Sequence, residues 1–264
     1  MTIRTALKLG AARQQSIRGM IARGDILTVG DLAQRFGVSQ ETIRRDMRVL
    51  DEAGHLRRVH GGATPPAAVD LTARRPVSER LDVARAAKML AAKAALPLFE
   101  DGMTVFLGGS STMLLLAEAI ARSDRMLSVT TNMIDIATVL AGAGRGSVTL
   151  LGGIVKATTH TLVGPDVLRA LDQRVFDLAV CGASAVDATH GVLGPSAWHA
   201  AIGATLARRA RRMAFVVDAT KFDRTDSHVV LPFDDVDALA ADLPPPPPVQ
   251  AALEAASVTL YLDA

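Results

Sequence analysis

The amino-acid sequence predicts an α/β protein in which a small winged helix-turn-helix precedes a larger α/β domain. Three observations support this fold class. Near the N-terminus, short helical patterns are separated by a glycine-containing turn and followed by a basic hairpin. A proline-rich stretch that is poor in helix and strand signal comes next. From there to the end, apolar strand-like runs alternate with helical ones, which is typical of a mainly parallel sheet covered on both faces.

Length and charge agree with a chain of two parts. The 264 residues, 49% hydrophobic and 21% charged, suffice for about two domains. Residues 1–64 contain eleven Lys or Arg and six Asp or Glu, giving +5, whereas the remainder contains eighteen and twenty-one, giving −3. A compact basic part of this kind predicts a module that binds a polyanion. We see no signal peptide and no membrane-spanning run, and the single cysteine excludes an intrachain disulfide, so we expect a cytoplasmic protein without membrane contact.

The first helix is predicted over residues 13–23, and Gly24-Asp25 interrupts it. Its apolar face consists of Ile17, Met20 and Ile21. Thr28 and Asp31 match a capping box, in which the first side chain accepts the backbone N–H group of the fourth residue. A second short helix is therefore expected to begin there and to continue through Phe36.

Residues 39–53 are predicted to form a third helix with two different faces. Ile43, Met47 and Leu50 recur at helical spacing, and Ser39 can cap the first turn. The other face carries amide, hydroxyl and guanidinium groups from Gln40, Thr42, Arg44, Arg45 and Arg48. Such groups suit phosphates and base edges in a DNA major groove. The alternative, an ordinary solvated basic face, becomes the minority interpretation once the flanking elements are considered.

Those flanking elements complete a winged helix. Gly37-Val38 forms the turn between the second and third helices, and Gly54 ends the third. Residues 55–63 follow as a short basic hairpin, with Leu56 and Val59 directed inward. The adjacent arginines favour a wing that touches DNA, and a plain hairpin turn is the alternative.

We place the winged helix-turn-helix domain at residues 10–65, an extended linker at 66–78 and the α/β domain at 79–264. In the α/β domain, helices are predicted at about 80–99, 113–121, 134–141, 197–210 and 249–255. Strands are predicted at 103–107, 126–130, 148–151, 177–181, 213–217, 228–231 and 258–262. Prolines 244–248 are expected to form a stiff spacer before the last helix.

Four polar loops follow predicted strands, at the strand ends where parallel sheets bind ligands. Glycines let backbone N–H groups approach an anion, and a helix N-terminus favours negative charge. Lysine is rare in this chain, five against twenty-four arginines, which makes Lys221 after a strand notable. A capped helix start is the alternative for the glycine-rich loop alone. The predicted effector-binding residues are Gly108, Gly109, Ser110, Ser111, Thr112, Thr131, Asn132, Gly152, Gly153, Asp218 and Lys221.

Residues 32–63, and above all T-I-R-R-D followed by R-R-V-H-G-G-A, resemble the DNA-binding half of the DeoR family of bacterial transcriptional regulators. The segments T-N (131–132), L-L-G-G (150–153), L-V-G-P (162–165) and K-F (221–222) also stand as in that family. The resemblance implies a repressor that acts as a homodimer or homotetramer on double-stranded operator DNA. It also implies a sensor domain that resembles ribose-5-phosphate isomerase and CoA-transferase folds and detects a phosphorylated sugar or related metabolite.

The DNA-contacting residues predicted from the helix, the wing and the resemblance are Thr28, Ser39, Gln40, Thr42, Arg44, Arg45, Arg48, Arg57, Arg58 and His60. Which of them reads bases stays open, and a phosphate contact is expected from Arg44 or Arg45. Asp46 is expected to hold a neighbouring arginine rather than to touch DNA.

Several positions depart from the family pattern. Gly108 stands where an acidic residue is usual, and Ser184-Ala185 replaces an expected Asp-Gly pair. Trp198, His199 and Ile202 occupy a helix where polar groups are expected. Losing those charges weakens recognition of sugar hydroxyls, so the predicted effector is anionic but need not be a standard sugar phosphate. Trp198 is predicted either to stack on a ring-bearing ligand or to serve core or oligomer packing.

The alternative function is an enzyme, a sugar-phosphate isomerase or CoA-transferase with a DNA-binding head. Fold alone does not imply activity, and acid–base catalysis needs a positioned base near the glycine-rich loop of residues 108–112, which we call the phosphate loop. The candidates, Asp187, His190, His199 and Asp218, are scattered along the sequence, so no catalytic residue is assigned. The six histidines lack metal-ligand spacing, and neither a metal nor another cofactor is predicted. The sequence thus predicts an effector-controlled DNA-binding regulator of a catabolic operon.

Overall fold

The computed structural model describes residues 10–22, 27–52, 56–59, 62–64, 76–222 and 224–263. The chain divides into two compact units, Met1–Val69 and Asp70–Ala264, which we call the N-terminal and C-terminal units. Within the described residues, no helix is long and apolar enough to cross a membrane.

The N-terminal unit contains three helices and a small sheet. The helices are α1 Gly10–Ala22, α2 Val29–Phe36 and α3 Gln40–Glu52. The strands are β1 Leu27–Thr28, β2 Arg57–Val59 and β3 Gly62–Thr64, antiparallel in the order β1-β3-β2. One apolar cluster joins the helices. Its members include Ile17, Leu32, Ile43 and Met47, each of which is at most 1% exposed. This arrangement confirms the predicted winged helix-turn-helix.

Local hydrogen bonds explain where the helices begin. The Thr28 hydroxyl accepts the Asp31 N–H group at 3.1 Å, and the Ser39 hydroxyl accepts the Thr42 N–H group at 3.2 Å. Gly37 lies at φ +63°, the left-handed conformation that closes a helix C-terminus at little cost to glycine. Both predicted caps and the predicted turn are thus present. The predicted breaks at Gly24-Asp25 and Gly54 lie outside the described residues.

The C-terminal unit is built on a parallel sheet of seven strands. The strands of this unit, five of which lie outside that sheet, are β4 Thr104–Leu107, β5 Ser128–Thr131, β6 Ser147–Leu150, β7 Ile154–Lys156, β8 Thr161–Val163, β9 Leu178–Gly182, β10 Ala185–Asp187, β11 Gly191–Gly194, β12 Met213–Val217, β13 His228–Leu231, β14 Ala238–Ala241 and β15 Thr259–Leu262. The large sheet has the order β15-β14-β12-β9-β4-β5-β6, and every neighbouring pair in it is parallel. The others form an antiparallel pair β7-β8 and a three-stranded sheet β10-β11-β13.

Helices cover both faces of the large sheet. They are α4 Val77–Asp82, α5 Arg85–Ala94, α6 Ser111–Arg122, α7 Ile134–Ala143, α8 Pro165–Asp172, α9 Ala197–Arg209 and α10 Pro247–Ala255. Successive residues of a strand point to opposite faces. Accordingly Val105 and Leu107 pack with α5 to α7, whereas Phe106 packs with α8 to α10. The predicted α/β class with a doubly covered parallel sheet is confirmed.

The prediction of a single helix over residues 80–99 is wrong. The chain breaks between α4 and α5, where Ala84 lies at φ +51°. Lys88 is 4% exposed, and its ammonium donates to the carbonyl oxygens of Arg80 and, at 2.7 Å, of Val83. A buried lysine that binds the carbonyls at the end of α4 stabilises the termination of that helix. A second difference concerns the last helix, which was predicted to begin at residue 249 but begins at Pro247. Proline is tolerated in the first turn of a helix, so the end of the proline run can be helical.

Candidate functional site

Helix α3 presents the polar face that its sequence predicts. Ile43, Met47 and Leu50 are at most 3% exposed and pack in the core of the N-terminal unit. The side chains on the other face, all exposed except the half-buried Thr42, are Gln40, Thr42, Arg44, Arg45 and Arg48. The helix is therefore held by one side and offers amide, hydroxyl and guanidinium groups on the other.

Asp46 lies on the held side of α3 and is 4% exposed. Its carboxylate accepts a hydrogen bond from Arg13 Nε at 2.5 Å and another from Gln14 Nε2 at 2.9 Å. Arg13 is equally buried, so the two charges compensate each other within the protein. Asp46 thus connects α3 to α1, and its arginine partner lies 33 residues earlier in the chain rather than on α3 itself.

The other residues predicted at DNA are distributed around α3. Thr28 and Ser39 are exposed, and both hydroxyls already serve as helix caps. Leu56, 2% exposed, anchors the start of the wing, and Arg57 pairs with Thr64 across β2 and β3. The side-chain placement of Arg57 and Arg58, and the whole of His60, lie outside what the structure describes. Contact of the wing with DNA therefore stays a prediction.

A cavity of about 320 Å³ lies in the C-terminal unit, where strands β4, β5, β9 and β12 end. Seven of the predicted effector residues line it, namely Gly108, Gly109, Ser110, Ser111, Thr112, Asn132 and Lys221. The other four do not belong to the lining. Thr131 is fully buried and donates to the Leu107 carbonyl at 2.7 Å, and Gly152 and Gly153 are exposed beyond it. Asp218 is fully buried, and its Oδ1 accepts the Thr220 N–H group at 3.1 Å in the turn that presents Lys221.

The glycine-rich loop is held open by specific hydrogen bonds. Ser110 caps α6 by accepting the Met113 N–H group at 3.2 Å. Gly109 donates its N–H group to the Asn132 side-chain oxygen at 2.9 Å, and the Asn132 amide nitrogen donates to the Leu162 carbonyl at 3.1 Å. The first N–H groups of a helix have no carbonyl partner four residues earlier, so the α6 N-terminus is suited to an anion.

Position 108 has no room for a side chain. A Cβ atom on Gly108 would lie 2.8 Å from the sulfur of Cys181, which is closer than real Cβ atoms approach. Cys181 comes from β9, and burial raises the pKa of its thiol to about 12, although the Gly108 backbone hydrogen bond opposes this rise. The thiol is therefore neutral and occupies the space that a side chain at 108 would need.

Four cations line the cavity, and three of them were not predicted from the sequence. They are Arg80, Lys88, Lys156 and Lys221. Among the described residues of the lining, none is Asp or Glu. Lys88 and Lys221 are at most 8% exposed, which places two ammonium groups in a poorly hydrated surrounding. Such a lining favours a ligand with negative charge.

Helix α9, the preceding Pro195 and strands β8 and β13 supply an apolar part of the lining. The apolar side chains there are Val163, Pro195, Trp198, Ile202 and Val230. His199 also faces the cavity, with Nδ1 2.8 Å from the Ser196 hydroxyl. Its ring keeps access to solvent in the cavity. The pKa of His199 is nevertheless lowered to about 4, first by desolvation among the surrounding protein atoms and then by the positive charges of Lys156 and Arg80. The imidazole is therefore neutral at physiological pH.

The acid–base candidates of the enzyme alternative are not brought together. Asp187 and His190 pair with each other at 3.0 Å in the turn between β10 and β11 and do not line the cavity. Within the described part of the chain, no three His, Cys, Asp or Glu side chains are grouped as a metal site would require. The geometry gives no support to a catalytic centre at the phosphate loop.

Comparison with known proteins assigns both units. Residues 13–67 match the model of the DeoR-like helix-turn-helix domain, and residues 83–243 match that of the DeoR C terminal sensor domain. The transcriptional repressor AccR of Agrobacterium fabrum is 29% identical over 87% of this chain and 88% of its own length. The L-fucose operon activator of Escherichia coli K12 is 29% identical over 88% of this chain and 95% of its own. Ribose 5-phosphate isomerase A from Neisseria gonorrhoeae has a TM-score of 0.39 at 15% identity, covering 52% of this chain and 53% of its own.

Proposed function

Since this chain belongs to the DeoR family of transcriptional regulators, we propose that it represses a catabolic operon and is released from operator DNA by a phosphorylated sugar or a related anionic metabolite. The regulator assignment itself covers both units, and it is favoured over the enzyme alternative. Relatives named as a repressor and as an activator are similarly close, so repression is part of the proposal.

The observation that carries the proposed effector class is the charge of the cavity. Four cations line it without a carboxylate among the described lining residues, and α6 begins at the same place. Removing a charged ligand from water costs free energy that only compensating charge and hydrogen bonds can offset. An anion that enters this cavity meets both, whereas a cation meets repulsion.

An anion should therefore stabilise the protein through Lys221. In a thermal-shift screen of sugar phosphates, each with its neutral sugar as a matched control, an anion present at 100 times its Kd should add about 2.7 kcal/mol to the free energy of unfolding. Lys221→Met should abolish this stabilisation, because it removes one buried cation of the lining. Lys93→Met, which changes a lysine on the exposed face of α5 outside the cavity, should retain it. Stabilisation by the neutral sugars alone, or an undiminished response of Lys221→Met, would contradict the proposed effector class.

The proposed DNA contact uses the exposed face of α3 and the wing. The residues assigned to it are Thr28, Ser39, Gln40, Thr42, Arg44, Arg45, Arg48, Arg57, Arg58 and His60. A two-fold dimer would require operator half-sites about 34–36 Å apart or a multiple of that distance. A homodimer or homotetramer on such repeats is the assembly that we propose.

Alanine substitutions at Arg44 and Arg45 test this surface. The operator can be selected from random duplexes with the full-length protein, and affinity measured by fluorescence anisotropy at several salt concentrations. A lost base contact should cost ~1–3 kcal/mol and relax specificity at one position, whereas a lost phosphate contact should reduce the slope of log affinity against log salt by about 1. Arg169→Ala, which alters an exposed arginine of the C-terminal unit, is the matched control. Unchanged affinity of both α3 variants would show that another surface binds DNA.

A further inference from the structure

The effector cavity combines a cationic surface with an apolar one, and the apolar surface is built into the fold. A Cβ atom at Gly203 of α9 would lie 2.5 Å from Val230 Cγ1, and one at Gly194 of β11 would lie 2.8 Å from Val230 Cγ2. These two glycines let β13 pack closely against α9 with Val230 in the lining. Trp198 and Ile202, one turn apart on α9, extend the same apolar surface.

The part of the lining formed by Trp198, Ile202 and Val230 offers no side-chain acceptor for the hydroxyl groups of a sugar. The carboxylates that commonly accept such groups are absent from its described residues. The Asn132 amide is engaged on both sides, by the Gly109 N–H group and the Leu162 carbonyl. A buried hydroxyl donor without an acceptor opposes binding, so a polyhydroxylated body fits this surface poorly.

From this juxtaposition we propose that the effector is a small anion whose phosphate or carboxylate is attached to an apolar ring, and that Trp198 stacks on that ring. The inference rests on the proposed function, since it specifies the ligand of the same cavity. Lys221 and the α6 N-terminus hold the anionic group, and Trp198, Ile202 and Val230 contact the ring. An offset-stacked pair of rings adds binding free energy beyond the area that it buries.

Three probes of graded chemistry test the inference on the full-length protein. They are phenyl phosphate, glucose 6-phosphate and inorganic phosphate, each titrated by calorimetry and by fluorescence. Trp198 is the only tryptophan, so its emission reports directly on this surface. Phenyl phosphate should bind about tenfold more tightly than either other probe and should quench the emission, because it alone places a ring on the indole.

Substitutions at Trp198 then distinguish the contribution of the ring to binding from that of the anionic group. Trp198→Ala should weaken phenyl phosphate about fivefold and leave inorganic phosphate unchanged, whereas Trp198→Phe should retain most of the affinity. The ranking of the three probes on the unaltered protein needs no variant, so misfolding of Trp198→Ala leaves the test intact. Leu243→Ala, which truncates an exposed apolar side chain outside the cavity, is the control.

The outcomes distinguish the two proposals. If glucose 6-phosphate binds as tightly as phenyl phosphate or more so, and Lys221→Met abolishes that binding, the proposed apolar ring is wrong. The proposal of an anionic effector would still hold. Equal binding of phenyl phosphate to Trp198→Ala and to the unaltered protein likewise overturns stacking alone. If none of the three anions binds the unaltered protein, the proposed anionic site fails and the inference fails with it.

Discussion

Replacing Asp46 by alanine is expected to unfold the N-terminal unit at temperatures where the unaltered protein is folded. The change leaves Arg13 buried at 4% exposure without the carboxylate that lies 2.5 Å from it. Breaking a buried ion pair by removing one partner costs about 3–5 kcal/mol. Against a total stability of roughly 5–15 kcal/mol, this loss lowers the melting temperature of a small domain by more than about 10 °C. Differential scanning calorimetry of the full-length variant should show an early transition of the N-terminal unit.

Operator binding should disappear together with that transition, and a double variant identifies the cause. Apolar replacement of both partners of a buried pair is often neutral, so Arg13→Leu combined with Asp46→Leu should restore both folding and much of the DNA affinity. If Asp46 instead touched DNA directly, the double variant would fold and still fail to bind. Asp51→Ala, which removes an exposed acid from the same helix, should leave the melting temperature within about 2 °C, since surface substitutions usually change stability by under 0.5 kcal/mol.

Elements whose signals lie close together in the sequence could be predicted, whereas those set by contacts between distant residues could not. The caps at Thr28 and Ser39, and strands such as Met213–Val217, could be predicted because their signals lie within a few residues. The break at Ala84 could not be predicted, because alanine favours helix and the placement of Lys88 against the end of α4, which stabilises the break, arises only on folding. Local propensity was overridden there by a contact made after the chain folds.

The cavity shows the same division. Ser110, Ser111 and Lys221 could be identified because each follows a strand directly, and parallel strands bring their carboxyl ends to one edge. Arg80, Lys88 and Lys156 were missed, since they come from α4, α5 and β7 and carry no local pattern that relates them to the phosphate loop. The glycines at 152 and 153 were predicted because they follow strand β6. That strand lies at the edge of the sheet, and neither glycine lines the cavity.

Gly108→Ala is the second substitution for which we expect a large effect, although it adds only one methyl group. That methyl would lie 2.8 Å from Cys181 Sγ, closer than real Cβ atoms approach, whereas Cys181 Cα at 3.5 Å is at an ordinary van der Waals separation. Overpacking a dense core in this way costs ~1–3 kcal/mol. Denaturant unfolding of the C-terminal transition should show this loss, and a larger side chain such as that of Gly108→Asp should cost more, because it also buries a carboxylate beside a neutral thiol.

A double-mutant cycle with Cys181→Ala tests whether the sulfur is what excludes a side chain at position 108. Cys181→Ala removes Sγ and leaves Cβ 3.4 Å from the new methyl group, an ordinary van der Waals separation. Gly108→Ala should therefore cost less in the Cys181→Ala background, with a coupling of about 0.5–3 kcal/mol between the two sites. Simple additivity would mean that the backbone of β9 rather than the thiol sets the limit. Favourable coupling would mean that the Cys181 thiol occupies the space that a side chain at position 108 would need.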